Sequence, residues 1–139
     1  MKIILPGSIR SKKNSKRIVP LPARKSSWMF SYKNRGICAV VPSIQPSTAY
    51  IAWERDARKA AKSQLIFGFV PILGPLHVRA IAYIKGPAPD LSGMHESVGD
   101  CLQGLIWMDD KQIVSWDGSR VVRDTQNPRT EIEITEVKY

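Results

Sequence analysis

Between residues 90 and 110 the chain carries five carboxylates, Asp90, Glu96, Asp100, Asp109 and Asp110, and no Lys or Arg, within a protein of formal net charge +9. Hard divalent cations such as Mg²⁺ take oxygen ligands, commonly one or two carboxylates with waters and substrate phosphates filling the other positions. An ion held this way activates water and stabilises charge on a phosphate, which is the chemistry of phosphodiester hydrolysis. The opposite end of the chain supplies the complementary charge, because residues 1–35 hold ten basic side chains and no acid. A basic surface suits a polyanion, and an acidic window suits the cation that would work on it.

Two elements must position those acids. Leu76 to Ile84 alternates apolar and polar residues as a half-buried strand does, and it delivers the chain to Pro89-Asp90. Ser92 is a fitting N-cap for a helix from Gly93 to Gln103 closed by Gly104, with Met94, Val98, Cys101, Leu102 and Leu105 on its apolar side. Residues 92, 96 and 100 then stand one turn apart on another side. Asp109 and Asp110 open the next strand, and a strand, helix, strand order offers a way for Asp90 and Asp110 to meet. The plain alternative is that an Asp pair before a strand and a Ser at a helix start are ordinary turn residues, with Glu96 and Asp100 on a solvated helix face.

Elsewhere Lys2 to Leu5 reads as a short strand stopped by Pro6-Gly7, and Ser11 to Arg17 as a polar basic loop. In that loop Lys12, Lys13, Lys16 and Arg17 are placed to neutralise phosphates, and Asn14 to hydrogen-bond backbone oxygens, so binding should weaken steeply with salt. Residues 18–46 are broken by five Pro or Gly residues, with strands expected near 28–32 and 37–41. Ser47 or Thr48 caps a helix to Gln64, whose Tyr50, Trp53, Ala57, Ala60 and Ala61 share one side and whose Arg55, Lys59 and Lys62 form a basic face. Gln112 to Trp116 and Ser119 to Arg123 are expected to pair across Asp117-Gly118 as a hairpin, and Arg129 to Lys138 reads as a final strand with one wet face. Trp28, Trp53, Trp107 and Trp116 sit within apolar alternation and belong to the core rather than to base-stacking platforms.

At 139 residues, 43% hydrophobic and 24% charged, the chain fits one domain with a real core. No run of about 18 apolar residues suits a membrane span, and the start of the chain does not read as a signal peptide, so a cytoplasmic protein is expected. Cys38 and Cys101 form no metal-binding or disulfide pattern, and neither His77 nor His95 has a partner at metal spacing. Charge alone leaves open a nuclease, a non-catalytic nucleic-acid binder and an adaptor for an acidic protein.

The string Pro89-Asp90-Leu91-Ser92, Val98, Asp100-Cys101-Leu102-Gln103-Gly104, Ile106-Trp107 and Asp109-Asp110-Lys111-Gln112-Ile113, followed by Pro128-Arg129 and Glu131 to Ile134, resembles the RusA-like Holliday-junction resolvases. Pro6-Gly7 and the Ser11 to Arg17 loop extend the likeness, in the expected order. The resemblance implies a single compact α/β domain of α+β type over residues 1–139, with a mixed sheet and two main helices. It also implies a phage-associated, Mg²⁺-dependent endodeoxyribonuclease, Mn²⁺ being a possible substitute. The enzyme would act as a homodimer on four-way or other branched DNA, inside a bacterial or phage-infected cell and away from membranes. Two of the family's three essential carboxylates carry over onto Asp90 and Asp110. The family's Asp-x-Asp-Asn-x-x-Lys is not kept: Ser92 stands for its second Asp, Gly93 for Asn and Glu96 for Lys. Two readings follow. In one, Glu96 supplies the missing carboxylate, so that Asp90, Asp110 and Glu96 are catalytic and Asp90, Asp110, Ser92, Glu96, Asp100 and Asp109 form the metal-ligand set. In the other, the chain binds branched DNA and cuts it poorly or not at all.

Overall fold

Apolar alternation in Leu76–Ile84 buries Leu76, Val78, Ala80, Ala82 and Ile84 on one face of a strand at the centre of the molecule. The computed structural model describes residues 1–12, 16–22 and 40–138. In chain order the elements are β1 (Lys2–Pro6), β2 (Lys16–Pro22), β3 (Val40–Pro46), α1 (Thr48–Gln64), β4 (Leu76–Ile84), α2 (Leu91–Leu102), β5 (Ile113–Ser115), β6 (Arg120–Arg123) and β7 (Arg129–Glu136). A 3-10 turn at Asp110–Gln112 precedes β5.

The main sheet runs β1-β7-β4, with β5 and β6 both on the far edge of β4. β7 is antiparallel to both its neighbours, while β5 and β6 run parallel to β4. Among the described residues the result is the expected mixed sheet with two helices, in one α+β domain. Ile3, Leu5, Thr130, Ile132 and Ile134 join the buried face of β4, and α1 and α2 cover it with Tyr50, Trp53, Ala57, Ala61, Met94, Val98 and Leu102. On the opposite face charges stand in cross-strand pairs. Arg79 lies opposite Glu133 and bonds it at 2.6 Å, and Arg129 lies opposite Tyr83 with its guanidinium 3.9 Å from the ring centre. This is the wet face expected of β7.

Local signals set several boundaries. Ser47 caps α1, its Oγ accepting the Tyr50 N–H at 3.1 Å. At the other helix Asp90, not Ser92, is the N-cap, with its Oδ1 accepting the Gly93 N–H at 2.9 Å, so α2 starts at Leu91 and ends at Leu102. Arg58 of α1 closes α2 from outside by donating to the carbonyls of Cys101 and Gln103.

The expected hairpin across Asp117-Gly118 does not form. β5 pairs with the start of β4 and β6 with its end, so the two are consecutive segments of one edge. The turn between them, with Gly118 at φ +80°, loops out of that edge, and Ser119 Oγ takes the Ala80 N–H at 3.0 Å where the ladder is interrupted. Lys16 and Arg17 lie on β2 rather than in a loop, in a two-stranded ribbon with β3 where Pro20 faces Pro42. Prolines are tolerated there because, among the described residues, each strand keeps an unpaired edge. The strand expected at 28–32, most of that at 37–41, and Lys13, Asn14, Trp28 and Cys38 lie outside the described residues. Among the described residues no helix is long and apolar enough to cross a membrane.

Candidate active site

Trp107 fixes the loop that carries the Asp pair. It is fully buried, and its Nε1–H donates to the carbonyl of Gly99 in α2 at 3.1 Å. Two residues on, Asp109 caps the 3-10 turn in a capping box: its Oδ1 accepts the Lys111 N–H at 3.0 Å, while Gln112 Oε1 accepts the N–H groups of Met108 and Asp109. The Gln112 amide also donates to the carbonyls of Ile72 and Gly74, so one side chain staples the acidic turn to the α1–β4 connection. Sequence reading gave Gln112 no role. Its position three residues after an Asp N-cap was the available signal.

This bracing brings Asp110 onto α2 at Gly99, where a Cβ built on the glycine would meet Asp110 Cβ at 3.5 Å. Partial withdrawal from water raises the Asp110 carboxyl above its ordinary value, and the neighbouring Asp109 and Asp100 charges push the same way. Asp109 moves below its ordinary value, chiefly because it accepts the Lys111 N–H. Asp100, one residue beyond Gly99, is held by the Lys12 ammonium at 2.7 Å. Lys12 therefore points inward to a carboxylate rather than standing free for phosphate, and Asp100, Glu54 and Glu96 all act on its charge. Glu54 of α1 is an acid of this cluster that sequence reading passed over, because it belongs to a different helix.

The other candidates sit at the far end of α2. Asp90 and Ser92 are exposed, and Ser92 Oγ donates to Asp90 Oδ2 at 3.3 Å. Strand, helix, strand does not bring Asp90 and Asp110 together here. Asp90 follows the end of β4, whereas Asp110 leads into Ile113, which pairs with Leu76 at the beginning of β4. The helix between the Asp90 cap and Gly99 adds about 13 Å of rise. Glu96 is exposed between them on the same helix. Among the described residues no three His, Cys, Asp or Glu side chains stand close enough to hold an ion together. Of the six expected ligands, Asp90, Ser92, Glu96 and Asp100 are thus spread along α2 from its cap, and Asp109 and Asp110 lie in the 3-10 turn. What does meet is the all-oxygen Asp109–Asp110 pair, with the charge of Asp100 acting on it. That donor chemistry fits a hydrated divalent ion completed by waters and phosphate, not a closed protein cage.

Gly93 is where the chain departs from the expected Asn for a visible reason. A Cβ there would lie 2.4 Å from Asp90 Oδ1 and 2.6 Å from Ser11 Oγ. The Ser8 to Lys12 segment is laid along α2, with the buried Ser97 hydroxyl donating to the Arg10 carbonyl at 2.8 Å and accepting the Lys12 N–H at 3.2 Å. His77 meets Ser115 at 3.0 Å, and His95 stacks on Trp116 at 4.4 Å between ring centres, with burial lowering its pKa. Trp53 and Trp107 are core residues as expected.

The family model described as endodeoxyribonuclease RusA matches residues 31–135. The chain belongs to the RusA endodeoxyribonuclease family. RusA proteins are Holliday-junction resolving endodeoxyribonucleases that act on branched DNA and generally require a metal, so the family agrees with the carboxylate window and the basic N-terminal region. Comparison with curated proteins gave no match.

Proposed function

We propose that this RusA-family chain, as one nuclease domain over residues 1–139, is a Mg²⁺-dependent endodeoxyribonuclease that resolves four-way DNA junctions as a homodimer in the cytoplasm of its host. The observation that carries the reading is the placement of Asp110 on Gly99, between Asp109 and Asp100, in a chain of the RusA family. Asp109 and Asp110 would hold the ion, with Asp100 beside them. The chemistry such an ion supplies is activation of water and stabilisation of charge developing on the scissile phosphate.

The chain's own residues do the rest. Gln112 and Trp107 keep the acidic turn rigid, so the carboxylates need no rearrangement when substrate arrives. Exposed Lys16 and Arg17 on β2, with Lys13 and Asn14 next to them in the chain, supply the phosphate contacts that position DNA. Mn²⁺ would substitute for Mg²⁺ because both accept the same oxygen donors. Asp90, Ser92 and Glu96 remain candidates for a second contact along the exposed side of α2, with Glu96 restoring the carboxylate that Ser92 lacks. In a homodimer, two such sites related by a two-fold axis would cut opposing strands of a four-way junction.

The test is incubation of the protein with a labelled four-way junction and with linear duplex, in Mg²⁺, Mn²⁺ or EDTA. Paired, metal-dependent nicks in the junction support the reading. Junction binding without cuts under any metal favours the second reading, a branched-DNA binder that has lost its chemistry, for which the changes at Ser92, Gly93 and Glu96 are the motivating observation.

A further inference from the structure

Lys12 was expected among the residues that grip DNA phosphates, yet the fold turns it the other way. Its ammonium lies 2.7 Å from Asp100 Oδ2, with both side chains more than half buried. Its backbone is fixed as well, since Lys12 N–H donates to Ser97 Oγ at 3.2 Å, one turn before Asp100 on the same helix. Ser97 is itself fully buried and bonded to the Arg10 carbonyl at 2.8 Å. Further back, Ser8 Oγ both donates to the Lys85 carbonyl and accepts the Lys85 N–H, each at 3.1 Å. The segment from Ser8 to Lys12 is therefore held at three points, and the Lys12 side chain projects from a fixed backbone rather than sweeping the surface as a free lysine does.

The surroundings give this cation a task. Glu54 comes from α1, Glu96 and Asp100 from α2, and Asp110 lies beyond Asp100. A DNA phosphate approaching Asp110 meets the field of Asp110, Asp109 and Asp100, and a repulsive field of one sign opposes an anionic substrate. Residues 90–110 contain no Lys or Arg to offset it. Lys111 acts on Asp109 from the end of the window, and the cation on Asp100 comes from 88 residues away in sequence, Lys12.

We infer that Lys12 is a positioning residue of the cleavage site, fixing Asp100 and compensating its charge next to the Asp109–Asp110 pair, rather than a member of the phosphate-gripping set. This rests on the nuclease reading above and deepens it. The role is electrostatic and geometric: Lys12, held by its fixed backbone, orients the Asp100 carboxylate and compensates its charge beside the acidic pair, with no reorganisation when substrate arrives.

The experiment compares single-turnover cleavage and binding of a four-way junction, and thermal stability, for the wild type, Lys12→Met and Lys12→Arg. Lys12→Met lowers the cleavage rate at saturating junction about 100-fold, the usual scale for losing one preorganised charge or donor, while junction Kd changes by less than about threefold, small beside the effect of losing a desolvated charge contact. Lys12→Arg keeps most of the rate. A plain phosphate contact would instead weaken Kd and flatten its salt dependence, with the saturated rate unchanged, and that result overturns the inference. A purely structural ion pair would lower the thermal stability of Lys12→Met while its saturated rate below that Tm stays at the wild-type value, and that also overturns it. If the wild type itself does not cut, the nuclease reading falls and this one with it. If the wild type and Lys12→Met cut equally at saturation, only this one falls.

Discussion

Gly93→Ala is the substitution whose cost follows most directly from the geometry. Gly93 is the third residue of α2, and its N–H is the one that the Asp90 cap accepts. A β-carbon there lies 2.4 Å from Asp90 Oδ1, 2.6 Å from Ser11 Oγ and 3.2 Å from Ser11 Cβ. To restore even 3.0 Å, the first two atoms must retreat by 0.6 and 0.4 Å. Asp90 retreats only by weakening its cap, worth about 1 kcal/mol. Ser11 is 6% exposed and lies on a segment anchored through Ser97, so moving it is an overpacking cost of about 1–3 kcal/mol. Relief of glycine's helix penalty returns at most about 1 kcal/mol. The net expectation is a loss of about 1–3 kcal/mol, read as a lower urea midpoint at unchanged m-value and a Tm lower by roughly 3–10 °C. Ser11→Gly removes two of the three contacts, so Gly93→Ala should cost about 1 kcal/mol less in that background. Gly93→Asn, the residue expected from the family pattern, is worse than Ala for the same reason. A Gly93→Ala protein as stable as the wild type, or equal costs with and without Ser11, refutes the close approach and the account of why this chain departs from Asn.

Three further outcomes are expected. Asp90→Asn should leave stability almost unchanged while Asp90→Ala loses about 1 kcal/mol, because Asn caps as well as Asp; any loss of cleavage in Asp90→Asn then reports chemistry and not folding. Asp110→Asn should raise Tm by about 1 °C near neutral pH. The sign follows from the raised carboxyl: the folded state holds that proton more tightly, so the ionised group opposes folding above its raised pKa, and the gain from Asn disappears as pH falls through that value into the ordinary carboxylate range. In a Cys38→Ser background Cys101, fully buried with its thiol pushed up to about 12, should resist a thiol reagent at neutral pH until denaturant is added.

Local and periodic signals carried much of the fold. The boundaries of α1, the alternation of β4 and the wet face of β7 lie where apolar spacing puts them, because packing there reinforces local propensity. The β5–β6 segment was misread because a tight Asp-Gly turn looks the same locally whether its flanks pair with each other or lie in line on a third strand. Only β4, some 40 residues away, decides between them. The cap of α2 went to Asp90 over Ser92 because Gly93, lacking a side chain, lets the Asp90 carboxylate fold back onto its N–H. In the site, the Asp109-Asp110 pair was legible as adjacent acids before a strand. The pairing of Lys12 with Asp100 was not, since nothing local to either residue specifies a contact 88 residues apart. The separation of Asp90 from Asp110 likewise follows from β5 running parallel to β4, which sequence order alone leaves open.

The measurement that bears most directly on the central proposal is cleavage of a four-way junction in Mg²⁺ by the wild type and by Asp110→Asn, with junction affinity recorded in Ca²⁺ or EDTA. The account predicts paired nicks by the wild type, abolished by EDTA and reduced at least about 100-fold by Asp110→Asn, with junction affinity kept or tightened because a negative charge has been removed next to a polyanion. Cleavage by Asp110→Asn at the wild-type rate, or wild-type cleavage that persists in EDTA, would contradict it.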